Sequence, residues 1–203
     1  MTECQERTTL EINEGDSVTL RGQIVDAKKK PIAKASIDTV ELTLFDQDSG
    51  SIINSRDSQD VKDANGGTLT DTLAIAGISQ TSPAILTFTA EHDLREGDRV
   101  HITGVVGMTE LNGRLFKVSP LADDSVTLQG EDARDHTAYS SGGVARIGLL
   151  TVDLKPGDSP IVSSTLAIGD TEEHRAMIDI GYSGDESLAI EYVLEVENLA
   201  KKG

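Results

Sequence analysis

Aromatic residues are scarce in this sequence, which has three phenylalanines, three tyrosines and no tryptophan among 203 residues. Hydrophobic residues make up only 37% of the chain, below the share that is typical of globular domains. A large enzyme core is therefore not expected, whereas small β domains can be built on Val, Ile, Leu and Thr. The length suits one large domain or two small ones.

Cysteine and long apolar runs are also lacking. Cys4 is the only cysteine, so no disulfide can form within the chain. No apolar run approaches 18 residues and no secretory signal pattern is present, so neither a transmembrane helix nor export is predicted. We therefore expect no membrane partner and synthesis in a reducing cytoplasm.

Charge of one sign dominates, with 35 acidic residues against 18 Lys and Arg and a formal net charge of −17. Binding to nucleic acid needs Lys and Arg against phosphate, so we expect no nucleic acid partner. Two interpretations of the acidic surface stay open. It keeps the protein soluble through self-repulsion, or it offers an acidic face to a basic partner or to divalent cations.

Apolar and polar residues alternate with a period of two in many segments, which is typical of half-buried strands. A helix would not place five apolar side chains at every second position, as the segment 188–197 does. The sequence therefore predicts an all-β protein. The predicted strands are 17–25, 36–45, 84–90, 98–103, 125–129, 149–154, 172–182 and 188–197.

The remaining segments are predicted to be irregular. Residues 1–9 are polar and expected to be mobile, residues 55–70 are interpreted as loop, and residues 73–83 as a connector. The Asn112-Gly113 pair predicts a type I′ hairpin turn, because that turn needs positive φ at both central positions.

The two ends of the chain each hold about three predicted strands, too few for a stable sandwich alone. Together they have the strand count of an immunoglobulin-like β-sandwich. We therefore predict a discontinuous sandwich domain from residues 1–75 and 148–203, with residues 81–147 inserted as a small β-barrel. Two consecutive domains with a ragged boundary are the alternative.

The central segment from Glu96 to Gly143 contains GMTELNG at residues 107–113 and ends on Ser-Gly-Gly. It resembles a β module that is frequent in structural proteins of tailed bacteriophages. That module is named after the first catalytic cysteine half-domain of ubiquitin-activating enzymes. The name implies no activity here, because Cys4 lies far from the module and no Gly-rich nucleotide loop follows a strand.

The flanking segments are similar to an immunoglobulin-like family of tailed phages, over residues 42–54, 60–66, 149–158, 173–176, 191–192 and 196–201. The two resemblances imply a non-enzymatic virion structural protein, made in the bacterial host cytoplasm. Neck or collar, head–tail region, capsid-surface decoration and tail tip are all open as its position. The expected partners are other virion proteins of the portal, neck, capsid or tail, and further copies of the chain in a homo-oligomer.

One candidate metal pattern is Asp46-x-Asp48-x-Gly50, which resembles the start of a calcium loop, where alternate carboxylates converge on a hard cation. The twelfth residue of an EF-hand loop would be Glu, and here it is Asp57. A plain β-turn explains the same residues. Asp46 and Asp48 are thus weak calcium candidates, and no cofactor is predicted.

The four histidines have neither the spacing nor the cysteine partners of a zinc motif. His101 falls in a predicted strand, where we expect a surface or cross-strand role. The histidines are His92, His101, His136 and His174.

Signatures of catalysis are missing as well. No G-x-S-x-G motif occurs, and no serine, histidine and acid set suggests a triad. The adjacent acids Asp123-Asp124 and Glu172-Glu173 would point to opposite faces of a strand rather than share a proton. No enzyme activity is predicted.

Two alternatives to a structural role stay open. A tail-tip or baseplate module that binds a host surface would need an aromatic-lined groove, for which only Phe88, Phe116 and Tyr139 are available in the insert. A polysaccharide hydrolase would need paired carboxylates in a cleft. The apolar edge of the last strand, with residues 200–203, is either an assembly contact or an ordinary sheet edge.

Overall fold

The computed structural model describes residues 3–183 and 186–199. Within them the chain forms β-strands and three short 3₁₀ turns and has no α-helix, so the prediction of an all-β protein is confirmed. None of these turns has the length or apolarity to cross a membrane. The strands are β1 (Glu3–Asn13), β2 (Val18–Gln23), β3 (Ile37–Asp46), β4 (Gln59–Asp60), β5 (Gly67–Ile78), β6 (Ile85–Phe88), β7 (Arg99–Val106), β8 (Leu115–Ala122), β9 (Ser125–Leu128), β10 (Ser141–Leu154), β11 (Thr171–Tyr182) and β12 (Glu186–Glu197).

The strands form two sheets, which give the predicted β-sandwich and small β-barrel. The first sheet has five strands in the order β1-β12-β11-β3-β4. The second has seven in the order β2-β10-β5-β6-β9-β8-β7, and a further pairing of β10 with β7 closes six of them into a barrel. Closure removes the free edges that an open sheet would leave.

The chain divides into two compact units. One comprises residues 1–22, 35–69 and 150–203, and the other comprises residues 23–34 and 70–149. The domain bounds predicted from the sequence, 1–75 with 148–203 and 81–147, stay a prediction.

The core of the first unit follows from the alternation in its long strands. In β12 the predicted apolar face is buried from Leu188 through Tyr192 to Val196, and Ala189 and Val193 on the other face are buried as well. The strand β2 approaches this face closely, because a Cβ added at Gly22 would lie 3.0 Å from the Ile190 Cδ1 atom. Glycine at that position therefore lets the two layers of the sandwich pack closely.

The second unit has its own core inside the barrel. The buried side chains are short aliphatic groups with two phenylalanines, consistent with a small barrel filled by its own side chains. They include Leu86, Phe88, Val100, Ile102, Met108, Leu111, Phe116, Val118, Val126, Leu128 and Ile147.

Four sequence predictions about strands are wrong. The expected loop at residues 55–70 contains β4 and the start of β5. Residues from Glu3 to Thr9, expected to be mobile, lie in β1, which pairs in parallel with β12. The expected connector at residues 73–83 begins with strand β5, which continues to Ile78. The last strand, expected to be a sheet edge, lies between β1 and β11. Residues 200–203, part of the same expected contact, lie outside the described residues.

The turn at Asn112-Gly113 is not of type I′. Asn112 has φ −65° and ψ 136°, and only Gly113 has a positive φ, of 78°. Asn112 instead uses its side chain: Oδ1 accepts from the Val105 N–H at 2.9 Å, and Nδ2 donates to the Val105 carbonyl at 2.8 Å. The Asn112 side-chain amide thus bonds to both backbone groups of Val105, as the backbone of a residue in a neighbouring strand would. This pairing does not require left-handed backbone at Asn112.

Candidate metal centre

Three ligand-type side chains meet on the buried face of the five-stranded sheet. Glu172 and His174 are two residues apart in β11, so both point to the same face. In the antiparallel pairing of β11 with β3, His174 lies directly opposite Asp46. The exposed fractions are 5% for Asp46, 7% for Glu172 and 0% for His174.

The three groups are close enough to share one ion. A carboxylate oxygen of Asp46, one of Glu172 and a ring nitrogen of His174 all lie within 4.8 Å of one another. The His174 Nε2 atom is 2.7 Å from the Glu172 Oε1 atom. The set offers one imidazole nitrogen and two carboxylates, a mixture of donors that zinc accepts.

Backbone groups hold the Glu172 carboxylate in place. Its Oε1 atom accepts from the Val162 N–H at 2.6 Å, and its Oε2 atom accepts from the Ser163 N–H at 3.0 Å. The segment that supplies these donors precedes β11. Its hydrogen bonds leave little freedom for Glu172 to turn away from His174.

The Asp46 carboxylate is held from the other side. The Ser49 N–H donates to Oδ1 at 2.7 Å, and the Ser49 hydroxyl donates to the same atom. Burial raises the pKa of Asp46, but the bonds from Ser49 and the nearby His174 outweigh it, so this pKa lies below its usual range. Asp46 is therefore an anion at neutral pH.

The His174 imidazole is only half satisfied. Nε2 contacts Glu172, whereas Nδ1 is buried and has no hydrogen-bond partner within residues 3–183 and 186–199. A buried polar atom without a partner costs about 1–3 kcal/mol and calls for a missing water or ion as its explanation.

The sequence suggested a different pair. Asp46 is part of the cluster, but Asp48 is exposed in the turn after β3 and contributes no ligand atom to it. Glu172 and His174 were not candidates, although a Glu-x-His pattern within a predicted strand places both side chains on one face. Calcium binding by Asp46 and Asp48 stays a prediction.

The other histidines lie apart from this cluster. His101 is 8% exposed, which excludes the surface role, and it lies in a cross-strand position opposite Arg146 of β10 and Leu115 of β8. Burial lowers the pKa of His101 below its usual range, and the positive charges of Lys30 and Arg146 add to this effect. His92 contacts the Ser125 carbonyl through Nε2, and His136 lies 3.5 Å from Glu131.

The remaining sequence candidates are not assembled into a site. Phe88 and Phe116 belong to the barrel core, and the Tyr139 hydroxyl lies 3.1 Å from the Ile75 carbonyl oxygen. Glu172 is buried while its neighbour Glu173 is half-buried and pairs with Arg175, so the expectation of opposite faces is confirmed for this pair. A second adjacent acidic pair, Asp123-Asp124, lies between β8 and β9, and both of its residues are exposed.

One family is recognised in part of the chain. Residues 81–147 match the family model of the ubiquitin-activating enzyme E1 FCCH domain. This supports the resemblance of the central module to the first catalytic cysteine half-domain. Among curated proteins, none matches the sequence.

Proposed function

We propose that this chain is a non-enzymatic structural component of a tailed-bacteriophage virion. It occupies the neck or collar, the head–tail region or the capsid surface, and it assembles there in several copies. The observation that carries the proposal is the pairing of a module that matches the FCCH family model over residues 81–147 with a β-sandwich. The central and flanking segments separately resemble phage structural proteins.

The edge strand β1 supports assembly through sheet edges. It pairs with β12 on one side and is the outermost strand of its sheet. Edge strands offer backbone donors and acceptors to a further strand, and proteins recognise one another in this way. Thr9 and Glu11 of β1 have exposed side chains. We propose that β1 receives a strand from a neighbouring virion protein.

An acidic groove beside β1 supports a basic partner. The groove has a volume of about 430 Å³ and is lined at β1, β12 and the turn after β1. Four of its lining residues are acidic, and charge complementarity speeds and orients association. These residues are Glu11, Asp16, Glu195 and Glu197.

The location is tested on particles. Tailed particles are purified from the bacterial strain that carries the gene, and their proteins are quantified by mass spectrometry. We expect the chain in a fixed ratio to the portal protein and a single labelled position by immunogold electron microscopy. Presence in the lysate but absence from particles would refute the proposal.

The edge is tested with Thr9→Lys, which places a charge on the exposed side of β1. We expect the variant to fold with an unchanged circular dichroism spectrum but to enter particles at least about tenfold less, because a charge on an edge strand opposes strand addition. Thr165→Lys is the matched control, since Thr165 is exposed in a loop. Equal incorporation of both variants would exclude β1 as the contact.

A further inference from the structure

We propose that Asp46, Glu172 and His174 form a structural binding site for one divalent ion of the zinc type. The site is independent of the proposed place in a virion, because it rests only on the buried side chains of one unit. All three residues belong to the unit that contains the five-stranded sheet.

The first argument is charge. Asp46 and Glu172 are two buried carboxylates, and neither makes a salt bridge with Lys or Arg in the part of the chain that the structure describes. Buried charges are normally paired or bound to a metal. A divalent cation would neutralise both carboxylates.

The second argument is the donor set. Calcium takes six to eight oxygen ligands, so a site with an imidazole and few oxygens suits it poorly. Zinc binds His nitrogen and carboxylate oxygen, most often with four ligands in a tetrahedron. Ligand atoms on a tetrahedral zinc ion lie about 3.3 Å apart. The His174 Nε2 and Glu172 Oε1 atoms are 2.7 Å apart, so small movements would admit the ion.

The third argument is the support around the ligands. The Val162 and Ser163 N–H groups orient Glu172, and Ser49 orients Asp46 through Oδ1. Hydrogen bonds of this kind fix metal ligands and tune their affinity.

The burial of the three ligands favours a structural role for the ion over a catalytic one. The three side chains fill three positions of a tetrahedral zinc ion, and a catalytic role would need the fourth position to be accessible to substrate. His174 has no exposed surface and both carboxylates are nearly covered. The ion would therefore join β3 to β11, and its binding energy would add to the stability of the sandwich.

Metal binding is measured on the full chain after removal of any affinity tag and dialysis against a chelator. We expect one zinc ion per chain by elemental mass spectrometry after reloading. The midpoint of thermal unfolding should rise in zinc by several degrees, and the same concentration of calcium should leave it unchanged. Cobalt should bind at the same site and develop a visible absorption band.

Variants locate the site. Asp46→Asn and His174→Gln should abolish the zinc-dependent rise in the unfolding midpoint, whereas Asp48→Asn should retain it. Because a buried substitution can prevent folding, Ser49→Ala is the milder variant. Ser49 is exposed, and loss of its bonds to Asp46 should weaken zinc binding about 10–100-fold.

Each contrary result has a defined meaning. Absence of bound zinc and of any thermal response would show that the three side chains pack together without a metal ion. Zinc binding that survives in folded Asp46→Asn and Ser49→Ala without change would place the ion on the surface. An equal response to calcium, lost in Asp48→Asn, would support the Asp46 and Asp48 pair instead. Any of these outcomes overturns the proposal.

Discussion

Arg56 and Asp158 form a buried bidentate ion pair, with Nε 2.9 Å from Oδ1 and Nη2 2.7 Å from Oδ2. Their side chains are 6% and 0% exposed. The remaining capacity of the carboxylate is used as well, since Asn54 Nδ2 donates to Oδ1 and the Lys155 N–H donates to Oδ2. The pair anchors the irregular segment after β3 to the turn after β10.

Removal of one charge from this pair should be strongly destabilising. Asp158→Asn leaves the Arg56 cation buried without its counter-charge, which costs about 3–5 kcal/mol in the free energy of unfolding. Urea denaturation followed by circular dichroism measures the loss. The double variant Arg56→Met, Asp158→Leu should lose less stability than the sum of the losses in the single variants Arg56→Met and Asp158→Leu. Additive losses would show that the two groups act independently.

His101 should make stability depend on pH in the weakly acidic range. Its folded pKa lies below the usual value because of burial, while the unfolded chain titrates near 6.5. Below about pH 6.5 the unfolded state therefore binds a proton that the folded state does not. The free energy of unfolding decreases as the pH is lowered, until folded His101 is also protonated. The decline between pH 7.5 and 5 should be smaller in His101→Gln. Equal slopes in both proteins would contradict this.

Alanine substitutions at two glycines of the barrel unit distinguish the cost of a positive φ from the cost of a steric clash. Gly113 has φ +78° and nothing within 4 Å of an added Cβ, so Gly113→Ala should cost only about 1–2 kcal/mol. Gly107 has φ +91°, and its Cβ would lie 2.2 Å from the Ala138 carbonyl oxygen. Gly107→Ala should therefore lower the free energy of unfolding by more than about 4 kcal/mol. Thermal unfolding of both variants tests whether Gly107→Ala loses more stability than Gly113→Ala. Similar losses of stability would exclude the close approach of Gly107 to the Ala138 carbonyl.

Asn112 should stabilise the barrel unit through its amide. Asn112→Ala removes two hydrogen bonds and leaves the N–H and carbonyl of Val105 without partners, at a cost of about 1–3 kcal/mol. Asn112→Asp keeps an acceptor for the Val105 N–H but places a carboxylate oxygen against the carbonyl. Hydrogen exchange at the Val105 amide should therefore accelerate in the Ala variant and remain slower in the Asp variant. Protection at Val105 unchanged by Asn112→Ala would refute the role.

The strands that could be predicted are those in which apolar and polar residues alternate within the segment itself. In β12 the period of two is visible in the sequence itself, and all the apolar residues of that face are buried, together with Ala189 and Val193 of the other face. Strand β1 could not be recognised in this way, because it is held by parallel pairing with residues near the other end of the chain. Its polar segment from Glu3 to Thr9 has no clear apolar alternation, so the sequence alone predicts a mobile tail there.

The candidate metal centre shows the same limit. Glu172 and His174 share a face because they are two residues apart, and that relation can be read from any predicted strand. Asp46 joins them only because β3 pairs with β11 in the register that places it opposite His174. Register depends on packing across the whole sheet, so the three residues could not be grouped from sequence.

The parallel pairing of β1 with β12 has a consequence for the order of folding during synthesis. Glu3 pairs with Leu188 and Asn13 with Glu197, so β1 leaves the ribosome long before its partner exists. Domains fold as they are made, and non-local strand pairs form late because the intervening loop must close. Residues 70–149 are complete before β11 and β12 are translated. The barrel unit can therefore form first, while β1 remains without its partner strand.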